Sequence, residues 1–163
     1  MSIENEVSYT IKNLPADISK YPKKEIEQGY FSDLPEPLRI RNEGGLLKIT
    51  KKVPINPTDL SRVEETEVVI KKEEFDLLWP LRAKTITKTR IYYPLENNLF
   101  AEIDFYHGPL EGFVSVEVEF PNNELRANFQ PPDWFDKDIS TEIWATNSVL
   151  ADMNLADVNK KLI

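Results

Sequence analysis

An antiparallel β-barrel or sandwich is the fold predicted by the sequence, and three observations predict it. Side chains alternate apolar and polar over most of the 163 residues, the signature of half-buried strands. Helical periodicity is confined to short pieces. Turn signals separate the alternating runs at short intervals, as in sheets built largely from hairpins.

The alternating runs cover residues 3–11, 26–32, 37–43, 46–53, 62–70, 84–93, 98–107 and 113–120. Between them lie "DLPEP", "NEGG", "VPINPTD", "PLENN" and "HGPLEG", which hold much of the Gly and Pro that set turns. Two helices are expected outside the strands. "KKEEFDLLWP" reads as one, stopped by Pro80, and 140–151 as another, opening on Ser140 and Thr141 as caps. The tail 152–163 reads as a helical turn or a frayed end. No repeat, low-complexity run or linker interrupts the chain, so one domain over 1–151 followed by the tail is expected.

With 28 acidic and 20 basic side chains the formal charge is -8, so the chain as a whole repels polyanions. Generic nucleic-acid binding and anionic-membrane binding are disfavoured on that ground. The absence of cysteine excludes disulfides and thiolate zinc sites. The opening "MSIENEVSYT" has neither the basic nor the apolar region of a leader, and no run approaches the ~20 apolar residues of a membrane span. A cytoplasmic protein is expected.

Side chains two apart share a strand face, so the sorting of charge by strand is informative. Val114, Val116, Val118 and Phe120 share one face of their run, with Ser115, Glu117 and Glu119 on the other. Ala101, Ile103 and Phe105 oppose Glu102 and Asp104. Glu4, Glu6, Ser8 and Thr10 form another polar face, and Arg39 with Arg41, Lys48 with Thr50 and Lys52, and Lys88 with Arg90 form cationic ones. A solvated sheet face would explain polar alternation alone. It would not sort the signs, because like charges at this spacing repel and need counter-charges or ligands. Carboxylate pairs suit a hard divalent cation, and Arg/Lys clusters suit phosphate oxygens. Enclosing both clusters in one closed barrel would set a metal-binding wall against a phosphate-binding wall.

Seven segments in order, "KKEIEQGYFS", "RIR", "ITKK", "EEFDLLWP", "KTRIYYPL", "AEIDFYHGPLEGFVSVEVEF" and "PPDWFDKDIS…TNSVLA", resemble the CYTH domain of the triphosphate tunnel metalloenzymes. The resemblance runs from about Ile3 to Ala151. It implies a mainly β fold with a few α-helices, an eight-stranded antiparallel closed β-barrel with helices packed outside. It also implies Mg²⁺ or Mn²⁺ as cofactor and a small triphosphate as substrate. Hydrolysis of inorganic or small organic triphosphate is the first expectation; a class IV-type adenylate cyclase and a non-catalytic triphosphate- or polyphosphate-binding module are the alternatives.

Carried over by position, Glu4, Glu6, Glu117 and Glu119 match the metal-holding acids of the first and last strands. Glu65, Glu67, Glu102 and Asp104 match further acids that serve a second metal or orient water. Glu64 is the alternative in the other register of that strand. Arg39, Arg41, Lys52, Lys88 and Arg90 match the catalytic and phosphate-gripping cations, and Lys48 shares the face of Lys52. Ser8 stands where the family carries a lysine beside the phosphates; Lys12 and Lys48 are the nearest cations on matching faces. His107 reads as a turn residue, Trp79, Trp134 and Trp144 as cover for the barrel, and Lys137 as a solvated charge. An apolar strand face left open by the helices would allow a homodimer.

Overall fold

The computed structural model describes residues 2–34 and 36–163. The "DLPEP" turn signal includes Pro35, which lies outside the described residues. The strands are β1 (Ser2–Ile11), β2 (Lys23–Tyr30), β3 (Arg39–Glu43), β4 (Leu46–Asn56), β5 (Asp59–Val69), β6 (Lys84–Pro94), β7 (Phe100–Tyr106), β8 (Val114–Glu119) and β9 (Phe135–Asp138). The helices are α1 (Lys72–Leu78), α2 (Asn123–Ala127), α3 (Asn147–Leu150) and α4 (Leu155–Leu162).

The strands run β5-β4-β3-β2-β6-β7-β8-β1, and β1 then pairs with β5, so eight antiparallel strands close into a barrel. Each of these eight forms where the alternation predicts, with ends shifted by a few residues. The β3–β4 hairpin turns on Gly44 and Gly45, whose φ angles of 57° and 95° lie where side chains other than glycine are strained. That turn pairs Arg39 with Thr50 and Arg41 with Lys48 on one face. Pro54 does not end β4; a register irregularity between Pro54 and Asn56 carries the hairpin on to its pairing with Asp59.

Closure sends the two faces of every strand to different environments. Outside, Val7, Ala101, Ile103, Val116 and Val118 are buried beneath Phe120, Phe135 and the partly buried Leu125, Phe129 and Trp134. The cover of the valine face is therefore the segment 120–135, carrying α2 and leading into β9, and not the two helices expected from the sequence. At one end of the barrel Ile86 and Tyr106 meet Leu110, Phe113, Leu150 and Val158 in a second core. The tail thus forms α4, capped by Asn154 and Asp157, with Val158 fully buried.

The helix expected over 140–151 is corrected. Its first residues form a turn, closed by the Glu142 N–H on the Ile139 carbonyl at 3.0 Å and anchored on β1, where the Ile139 N–H donates to the Ser8 carbonyl at 2.8 Å and the Ser8 N–H donates to Ser140 Oγ at 2.9 Å. The Ser140 hydroxyl is spent on satisfying the backbone of β1 and cannot cap a helix. A 3₁₀ turn over Ile143–Ala145 and the single turn of α3, with Thr146 at its N-cap, follow instead. Pro80 sits inside a 3₁₀ turn, Trp79–Leu81, that prolongs α1. Among the described residues no helix is long and apolar enough to cross a membrane.

Leu150 is 1% exposed in the second core. Leu150→Ala is expected to destabilise the fold by about 2–5 kcal/mol, the cost of an unfilled core site, as read from urea denaturation. A loss below about 1 kcal/mol would mean that the C-terminal segment is only loosely docked.

Candidate functional site

The barrel encloses a cavity of about 840 Å³. The inward faces of β1, β3, β4, β5, β6, β7 and β8 bring Glu4, Glu6, Arg39, Arg41, Lys48, Lys52, Glu65, Glu67, Lys88, Arg90, Glu102, Glu117 and Glu119 to its lining. Glu64 pairs with Ile3 and Val53 on the opposite face, so the register that turns Glu65 and Glu67 inward is the one formed.

The cationic wall is built across β3 and β4. Arg39 Nη2 donates to Thr50 Oγ1 at 3.3 Å and lies 3.8 Å from Glu65 Oε2. Lys48 Nζ lies 2.9 Å from Glu67 Oε1, and Lys52 Nζ lies 2.5 Å from Glu4 Oε2 and 3.8 Å from Glu65 Oε2. Arg39 and Arg41 each keep a buried Nε donor without a hydrogen-bond partner. A buried orphan donor costs on the order of 1–3 kcal/mol, so this wall is built short of acceptors. Burial, with the charges of Arg39 and Arg90 nearby, holds the Arg41 guanidinium below its ordinary pKa.

The opposite wall is acidic. Burial pushes the Glu6 carboxyl up to about 7; Glu117 and Glu4 add to the rise and Lys52 opposes it. Burial likewise raises Glu119, helped by Glu4, and raises Glu102 despite Arg90. These are hard oxygen donors whose charge is under-compensated, and that chemistry fits Mg²⁺ or Mn²⁺. Among the described residues, no three acidic or histidine side chains already converge at coordinating distance. Several are held instead by Lys52 or Arg90.

Part of the lining is held in a buried ion cluster centred on Asp104 and Arg90. Arg90 Nε and Nη2 donate to the two oxygens of Asp104, each at 2.7 Å; Nη2 also donates to Glu117 at 2.6 Å and Nη1 to Glu102. Lys88 Nζ donates to Asp104 Oδ2 at 2.6 Å and to Asn147 Oδ1 at 3.2 Å. Asp104, expected among the metal-holding or water-orienting acids, does not line the cavity: it is fully buried and occupied by Arg90 and Lys88.

Ser8 lines the cavity, while Lys12 lies past the end of β1, its N–H donating to the Trp134 carbonyl, and does not. His107 Nε2 is 2.8 Å from Thr89 Oγ1. Trp79 stacks on Phe75, Trp134 packs in the outer core and Trp144 packs against Phe113. Lys137 bonds the Leu162 carbonyl. None of these five lines the cavity.

Sequence reasoning missed Glu43, Gln28, Tyr30, Tyr92 and Asn147, all on the lining. Glu43 continues the period of Arg39 and Arg41, and Tyr92 that of Lys88 and Arg90, so both were open to the same argument. Asn147 arrives from an irregular segment that has no periodicity to read.

Burial alone would raise the Asp104 carboxyl, but Arg90 and Lys88 more than offset it and hold it well below the usual carboxylate range. A depressed carboxyl contributes stability that is present above its unfolded pKa, about 3.9, and is lost as pH falls through the folded value. The wild-type protein is therefore expected to lose stability below about pH 4, and Asp104→Asn to be less stable at pH 7 with a shallower acid limb. Equal acid limbs in denaturation series would show that Asp104 is not the titrating group.

No protein-family model matches the chain. An inorganic triphosphatase of Nitrosomonas europaea is 31% identical over 129 residues, covering 77% of this chain and 83% of the relative. An inorganic triphosphatase of Acetivibrio thermocellus is 30% identical over 127 residues, covering 76% and 77%. The crystal structure of an inorganic triphosphatase superposes with a TM-score of 0.66 at 27% identity, over 93% of this chain and 95% of that one. With a closed eight-stranded barrel, opposed cationic and acidic walls and these relatives, the chain belongs to the CYTH-like triphosphate tunnel family that includes the inorganic triphosphatases.

Proposed function

We propose that the protein hydrolyses inorganic triphosphate, or a small organic triphosphate, inside the barrel with the help of a divalent metal. The observation that carries this reading is the pair of orphan Nε donors on Arg39 and Arg41, set in a cationic wall that faces raised-pKa carboxylates. Phosphate oxygens supply the acceptors which that wall lacks.

In this reading Arg39, Arg41, Lys48 and Lys52 bind the phosphate chain, displacing carboxylates from Lys48 and Lys52. Arg90, pinned by Asp104, Glu102 and Glu117, is a fixed charge that needs no rearrangement as negative charge develops on the transferred group. Lys88 adds charge from below. Glu4, Glu6, Glu117 and Glu119 hold Mg²⁺ or Mn²⁺. The ion, when bound, polarises phosphate oxygens and makes bound water more acidic. Glu65, Glu67 and Glu102 orient the attacking water. Its oxygen bonds to the terminal phosphorus, the bridging P–O bond breaks with its electron pair on the departing pyrophosphate, and orthophosphate is the other product. Ser8 supplies no cation beside the phosphates, so the grip rests on β3, β4 and β6. A cytoplasmic setting, where such phosphates occur, agrees with a cysteine-free chain.

Phosphate release from tripolyphosphate, ATP and thiamine triphosphate, with each metal, tests the reaction. Orthophosphate from tripolyphosphate is expected, and replacing Arg39 and Arg41 together by Ala is expected to lower kcat/KM about 100-fold or more. Full turnover in that double variant would overturn the assignment of the wall. Cyclic AMP and pyrophosphate from ATP would identify a cyclase, and calorimetric binding without turnover a binding module.

The metal has a separate signature. The raised Glu6 carboxyl contributes stability that is full below the unfolded value of about 4.3 and lost as pH rises to about 7. A cation that takes the place of that proton gains as the proton leaves. Mg²⁺ or Mn²⁺ is expected to raise Tm more at pH 8 than at pH 6. A Tm unmoved by both ions, with and without tripolyphosphate, counts against a resident metal.

A further inference from the structure

We propose that Glu43 sets chain length: its carboxylate stands at the end of the cationic lane and admits a chain of three phosphates in preference to longer linear polyphosphates. This deepens the triphosphatase reading and rests on it.

Along β3 the inward positions are Arg39, Arg41 and Glu43, so two guanidinium rungs about 7 Å apart are followed at the next rung by a negative charge. Glu43 is not a loose surface side chain; only 11% of its side chain is exposed, and it lines the same cavity. Four strands hold it. Its Oε1 accepts from Tyr92 Oη on β6 at 2.8 Å and lies 3.6 Å from Lys24 Nζ on β2. Its Oε2 lies 3.8 Å from Arg41 Nε on β3 and 4.0 Å from Lys48 Nζ on β4. Burial would raise its pKa, yet Arg41, the Tyr92 hydroxyl, Lys24 and Lys48 together hold the carboxyl below its ordinary range. It is an ionised group at neutral pH.

Phosphates lying on Arg39 and Arg41 replace weak, long contacts with charge-assisted hydrogen bonds. A chain that runs one phosphate further brings its charge against the Glu43 carboxylate at the next rung. The carboxylate therefore costs the longer chain more than the shorter one, which is specificity by repulsion. A role confined to neutralising the cations would weigh on both chains alike.

Steady-state kcat/KM for tripolyphosphate and tetrapolyphosphate, on the full chain, separates these. Glu43→Gln keeps the hydrogen bond from Tyr92 but loses the charge, and is expected to raise the tetrapolyphosphate-to-tripolyphosphate ratio about tenfold. Glu43→Asp, which keeps the charge, is expected to keep the wild-type preference. A ratio unchanged in Glu43→Gln, with its melting curve intact, overturns the proposal. Should wild-type protein turn over neither chain, the triphosphatase reading fails first. The ratio of calorimetric dissociation constants for the two chains then decides the length proposal by the same criterion.

Discussion

Closure of the sheet at the β1–β5 seam is the constraint on which the rest of the structure depends. Residues 2–5 of β1 pair with 62–65 of β5, and only that pairing removes the two edges an open eight-stranded sheet would keep. Side chains also hold the seam. Arg126, reaching in from α2, donates to Asn5 Oδ1 at 2.6 Å and to Ser61 Oγ at 2.5 Å, tying one seam strand to the other. A slip of one residue there would turn Glu4 and Glu6 outward and bring Ile3 and Asn5 into the chamber. The latch on Asn5 therefore fixes the direction of its two acidic neighbours.

Once the barrel closes, its interior charges must be reconciled with one another, since water can no longer screen them as it does on an open face. Arg90 carries most of that task, meeting Asp104, Glu102 and Glu117 from β7 and β8. Asp104 in turn answers two cations, Lys88 and Arg90. Such a cluster is weak evidence of net stabilisation, because desolvation consumes much of the Coulombic gain. Its value lies in fixing where Arg90 points.

The strands were legible because a period of two survives in the sequence even where the apolar face is interrupted by tyrosine or proline. Turn chemistry read the "NEGG" hairpin correctly for the same reason: two glycines in the left-handed region have few other uses. What was not legible lacks periodicity. The four residues of β9, and the Ile139 N–H that follows them, pair with β1 only because β1 has unpaired backbone groups beyond its contact with β5, a fact of tertiary structure. The same holds within the site. Alternation placed Asp104 on the inward face, where it is, but cannot tell a cavity-lining carboxylate from one that two neighbouring cations pull beneath the lining. Glu43 was readable from its spacing and was passed over because an acidic residue at a hairpin reads first as a turn residue.

The lining as a whole carries more acidic than basic side chains. A bare triphosphate approaching that lining meets attraction from β3 and β4 and repulsion from β1, β7 and β8. A divalent cation alone meets the reverse. In the proposed function each ligand therefore lowers the barrier to the other, and by linkage the coupling is equal in both directions. The neutral Ser8 sharpens this polarity. With no cation on β1 itself, the cations that meet the acidic wall are Lys52 and Arg90, reaching in from β4 and β6. In that proposal, placing the two charges on separate walls selects the pair, the polyphosphate with its ion, over either one alone.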